Sequence, residues 1–161
     1  MRSIITLSFC LFAIQFAMAG ASIDWFRTSP GLGYWTTRDA GNNVYTVSSD
    51  GLIRLQKYDK FGNHLWEATS TTSILFNYET PRQVLTDLQG NVIVVGLRVT
   101  HSVENGDNAN AILVIKYTAS GTLLWKKEIT GYWNAFFQER YHNNVTAQLD
   151  AAGNIYVASG G

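Results

Sequence analysis

Two stretches in the second half of the chain, "NVIVVGL" (91–97) and "AILVIKY" (111–117), are almost continuously apolar. A sheet with one wet face would alternate apolar and polar positions, so these segments predict strands covered on both faces. Around them lie shorter apolar runs such as "VYTVS" (44–48) and "LIRLQKY" (52–58), separated by turn residues. The pattern predicts four strands in the middle of the chain, at 64–71, 82–87, 91–99 and 111–118. One further apolar run is different. "IITLSFCLFAIQF" (4–16) follows Arg2 and precedes Ala17-Met18-Ala19, which is the layout of an export signal cleaved after residue 19. It is shorter than the roughly 20 apolar residues that a spanning helix needs.

The strands recur in a fixed order. Asp-x-x-Gly/Asn-Asn followed by an apolar strand appears as "DAGNNVYTV" (39–47), "DLQGNVIVV" (87–95) and "DAAGNIYVA" (150–158). A second phrase, "KYDKFGNHLW" (57–66), returns as "KYTASGTLLW" (116–125), and "IDWFRTS" (23–29) matches its tail. The structural repeat positions are therefore Trp25, Trp66 and Trp125, Asp39, Asp87 and Asp150, and Gly62 and Gly121. Repeats of about 23–63, 64–122 and an incomplete 123–161 follow. Asp at the first turn position and Gly at the fourth is the preference of a type I turn. Calcium ligation is the other use of such carboxylates. Antiparallel units of this length, each buried by its neighbours, predict an all-β chain: a partial β-propeller of four-stranded antiparallel blades, about two and a half repeats. The tryptophans would pack between blades, each indole N–H finding a backbone carbonyl; stacking on a cofactor is the alternative.

Composition narrows the function classes. Lys plus Arg is 12 and Asp plus Glu is 12, with no basic stripe, which argues against nucleic acid and against a polybasic membrane patch. Cys10 is the only cysteine and lies within the signal, so the mature chain (20–161) has no disulfide, thiolate metal site or cysteine nucleophile. His64, His101 and His142 are scattered, and no catalytic or metal-binding motif can be assembled from them. "ENGDNAN" (104–110) lacks the spacing of a calcium loop and reads as a solvated loop.

"DLQGNVIVVG", "DAAGNIYVASG" and "KYDKFGNHLW" resemble the bacterial β-propeller repeat called SBBP, over most of residues 23–161. The phrases also resemble, less closely, the tryptophan-docking repeats of quinoprotein propellers. Those carry Thr-Gly at the corner where this chain has Gly-Asn or Gly-Thr, and no quinone-binding cluster is recognisable. Departures from repetition then point to a site. Eleven residues are added between Asp87 and Lys116 relative to Asp39 and Lys57, and eleven between Trp125 and Asp150 relative to Trp25 and Asp39. The second insertion carries Tyr132, Trp133, Phe136, Phe137, Tyr141 and His142, aromatic groups that either stack on a ligand or fold back over a sheet edge. The expectation is a secreted, periplasmic or cell-surface module that binds a protein or glycan without catalysis or cofactor. Further blades would come in cis or by self-assembly. The alternative is part of a propeller enzyme, a quinoprotein-like oxidoreductase with its active site in other blades.

Overall fold

The computed structural model of the chain describes residues 25–27, 31–71, 77–101, 108–130 and 145–159. Among these residues all regular structure is strand. Strands β1 (Leu32–Arg38), β2 (Val44–Ser49), β3 (Ile53–Tyr58) and β4 (His64–Thr69) form one antiparallel sheet in chain order. β5 (Asn77–Thr86), β6 (Val92–His101), β7 (Asn108–Tyr117) and β8 (Leu123–Thr130) form a second in the same order, and β9 (Val145–Leu149) pairs with β10 (Ile155–Ser159) in a third.

One turn design makes five of these hairpins. The connections 39–43, 59–63, 87–91, 118–122 and 150–154 are each five residues long. In each, the fourth residue donates its N–H to the first residue's carbonyl, and the first donates its own N–H to the fifth residue's carbonyl, at 2.8–3.2 Å. This closes a type I turn followed by one left-handed residue. That residue is Gly62 (φ 82°), Gly90 (78°), Gly121 (89°) or Gly153 (83°), where a side chain would be strained, and in the first turn it is Asn42 (64°). The Asp at the first position clasps the turn. Oδ1 of Asp87 accepts the N–H of Gln89 at 3.0 Å and of Asn91 at 2.8 Å, while Oδ2 accepts the Asn91 side-chain amide at 2.9 Å. Asp59 and Asp150 do the same with Asn63 and Asn154. Thr118 substitutes a hydroxyl, which accepts the Thr122 N–H at 3.0 Å.

The sheets stack face to face, most closely along β1, β5 and β9. Between the first and second sheets lie Tyr45, Val47, Ile53 and Leu55 against Val84, Val92, Val94, Leu113 and Ile115. Between the second and third lie Ile93, Val95, Leu97 and Val114 against Val145 and Ala147. β6 and β7 thus contribute to both cores, which accounts for their unbroken apolar runs. Burying each such side chain is worth about 1.5–3 kcal/mol. β1 and β5 run in the same direction: Thr86, ending β5, bonds the Arg38 carbonyl at the end of β1, and Glu79 near the start of β5 bonds Gly51 in the β2–β3 turn. All four clasped turns of the two larger sheets therefore lie at one end of the stack.

Three sequence expectations are corrected. The tryptophan strand 64–69 closes the first sheet against β3 instead of opening the second with 82–87, 91–99 and 111–118, because the five-residue hairpin 59–63 makes β3 and β4 neighbours. β5 begins at Asn77, five residues before the expected strand, and Pro81 is accommodated by a bulge between Pro81 and Gln83 on this edge strand. Asn108–Asn110 of "ENGDNAN" belong to β7, so the first insertion mainly lengthens the β6–β7 hairpin.

Two predictions follow from the turns. A Cβ on Gly121 would lie 2.9 Å from ring atoms of Trp66, whereas one on Gly153 would meet nothing within 4 Å. Gly153→Ala should cost about 1–2 kcal/mol from φ alone, and Gly121→Ala about 3 kcal/mol because the indole must also move; urea unfolding measures both. Burial pushes the Asp39 and Asp87 carboxyls up, but the Asn amides and N–H groups of their turns, with Tyr45 and Lys57 for Asp39 and Lys116 for Asp87, outweigh it and hold both below the ordinary 3.8. This stability is fully present above pH 3.8 and is lost as pH falls through the lower folded values. Asp87→Asn should flatten the acid limb of a pH–unfolding profile.

Candidate functional site

Two kinds of polar junction bind the first sheet to the second, one at each end of the β4–β8 side. At the clasped end, Trp66 of β4 rests on Gly121 and donates its indole N–H to the Ala119 carbonyl at 3.1 Å. The Lys57 ammonium donates to the same carbonyl at 3.1 Å, lies 5.0 Å from the Tyr45 ring centre, and is 3.9 Å from Asp39. Lys57 thus joins the two recurring sequence phrases, and Lys116 repeats the pairing with Asp87 at 2.9 Å. The same docking occurs one step earlier: Trp25 rests on Gly62, with its N–H 3.2 Å from the Lys60 carbonyl. Trp125 is half-buried against the second core, with Lys127 5.7 Å from its ring.

At the opposite end stands a carboxylate that the sequence reading did not single out. Glu79 is 0% exposed. Its main chain is gripped by the β2–β3 turn, its N–H donating to Gly51 at 2.9 Å and its carbonyl accepting from Ser49 Oγ at 2.5 Å. One carboxylate oxygen accepts from the Ser70 hydroxyl, which itself accepts the Ile53 N–H at 2.9 Å. The other accepts the Lys126 ammonium at 2.6 Å, and Lys126 also reaches Thr71 O at 3.2 Å. A buried carboxylate survives only when paired and hydrogen-bonded, and here every partner comes from a different segment. The sequence signal was "NYETP" (77–81): an acid in an apolar neighbourhood, masked by the proline beside it.

The Lys126 side of this junction opens into a cleft of about 340 Å³ between β4 and β8, lined by Ser70, Thr71, Ile115, Tyr117, Leu123 and Lys126 among others. Burial, and then the Glu79 carboxylate, push the Tyr117 hydroxyl up to about 12, so it stays a neutral donor. The cleft is a polar slot whose cation, Lys126, is neutralised by Glu79. No group of three or more His, Cys, Asp or Glu among the described residues could hold a metal. The Asp39, Asp59, Asp87 and Asp150 oxygens are occupied by their own turns.

The sequence-predicted ligand residues Tyr132, Trp133, Phe136, Phe137, Tyr141 and His142 lie outside the described residues. Their flanks are described: β8 ends at Thr130, paired with Ala111, beside the lengthened part of the β6–β7 hairpin. No protein-family model matches the chain, and no curated protein matches it.

Removing Lys126 alone leaves Glu79 uncompensated. Lys126→Met should cost about 3–5 kcal/mol in denaturant unfolding, and Glu79→Gln in the same chain should restore part of that loss. Additive losses would refute the coupling.

Proposed function

We propose that the three sheets are blades of an exported β-propeller of the SBBP type that serves, without catalysis, as a binding or scaffold module for a protein or glycan. One observation carries this reading: variation is confined to one end of the stack. The clasped turns are uniformly five residues long, whereas the connections at the other end span 50–52, 70–76, 102–107 and 131–144. Scaffolds that hold one end constant and vary the loops at the other use the variable end for recognition. The approach of the sheets along their first strands, β1, β5 and β9, supports a radial arrangement of blades. The last described residue before the aromatic segment, Thr130, ends β8 at the variable end, paired with Ala111 of β7.

Replacing Trp133 and Tyr141 together with Ala should abolish binding to a glycan array or surface-protein extract while leaving the melting temperature nearly unchanged. A fall of several degrees, the mark of lost buried aromatics, would assign these residues to packing and overturn the reading.

A further inference from the structure

The second sheet serves as an internal control for the first. At the clasped end of the second sheet, Thr86, Gly90, Ala119 and Ser120 make the turns, and a Cβ on Gly90 would sit 3.6 Å from that of Ala119, so the two turns close together. The matching positions of the first sheet hold Arg38, Asn42, Lys60 and Phe61. The turns have the same hydrogen bonds and a tryptophan docks on each outer glycine, so the fold does not require these larger side chains.

What they make instead is a cavity of about 630 Å³ lined by Trp25, Arg38, Asn42, Val44, Lys60 and Phe61. Its chemistry is consistent. Asn42 is the single non-glycine residue with positive φ among the described residues, occupying a position where the other four clasped turns place glycine, and it is one of the lining residues. Arg38 and Lys60 form no ion pair among the described residues. The adjacent carboxylates do not compete for them, since Asp39 faces Asn43 and Tyr45 and Asp59 faces Phe61 N and Asn63. Phe61 is 68% exposed, with the Lys60 ammonium 4.9 Å from the centre of its ring.

We infer that this cavity is a binding site for an acidic saccharide, made by residues other than those of the aromatic segment 132–142. A sugar's apolar ring face packs on Phe61 and Trp25. A carboxylate or sulfate takes the Arg38 guanidinium fork and the Lys60 ammonium. Asn42 supplies an amide to ring hydroxyls, and the cavity lies in the size range of small-ligand sites.

The test is calorimetric titration of the purified chain with three oligosaccharides: a galacturonate hexamer, a sulfated oligosaccharide of similar length, and a neutral glucose hexamer. Binding of either acidic probe but not the neutral one supports the site, and the pair distinguishes carboxylate from sulfate. Arg38→Ala should weaken that binding by about tenfold or more, and Lys60→Ala should weaken it as well. Asn42→Gly relieves the backbone, so it should raise the melting temperature while weakening binding, a combination that general destabilisation cannot produce. Absence of binding by both acidic probes, equal binding of the neutral hexamer, or affinities unchanged in Arg38→Ala and Lys60→Ala would each overturn the inference.

Discussion

An indole resting on a glycine holds the first sheet to the second, and much of the structure at the clasped end serves to make that contact possible. The glycine must lack a Cβ, because one would lie 2.9 Å from the ring. It must also hold a positive φ, which the turn imposes and the Asp or Thr at the turn's start secures. The turn in turn presents a carbonyl, Lys60 or Ala119, to the indole N–H. Four residues of the recurring phrase are thus one device: a clasp, a glycine platform, a carbonyl and, from the preceding unit, a tryptophan.

Glu79 is the polar counterweight at the other end. Its burial carries a desolvation penalty that an apolar residue would avoid. What it provides is geometry, since it ties the β2–β3 turn, the start of the β4–β5 connection and β8 to one point on β5. Hydrophobic faces alone tolerate sliding. A residue held by its main chain and its carboxylate to three segments does not. The first two sheets are therefore pinned at both ends, by the indole and carbonyl at the clasped end and by the hydrogen bonds of Glu79 with Ser49, Gly51 and Ser70 at the variable one.

Much of this was legible in the sequence for a physical reason. Asp-x-x-Gly-Asn encodes a local structure whose partners all fall within five residues, and the continuous apolar runs of β6 and β7 reflect burial on two faces. The long-range assignments were harder. That Trp66 belongs to the sheet behind it depends on which of two connections is a tight hairpin, and "DKFGN" settles this only once its turn type is known. Glu79 was invisible because its partners, Ser70 and Lys126, lie 9 and 47 residues away and follow no spacing rule. The Arg38–Lys60 cavity was invisible for the opposite reason: its residues sit inside the repeat, where attention falls on what recurs.

The docking also has a direction in time. Each indole precedes its platform in the chain, Trp25 by 35 residues and Trp66 by 53 measured to the accepting carbonyl. Hairpins close within microseconds, yet a ribosome adds only about 5–20 residues per second. A finished sheet therefore waits roughly 2–10 seconds for the next platform to emerge, with its tryptophan and one apolar face still wet. The hairpins 59–63 and 118–122 each receive a ring synthesised before them, and until the second has emerged the open face of the first sheet is where a chaperone or a wrong neighbour finds its hold.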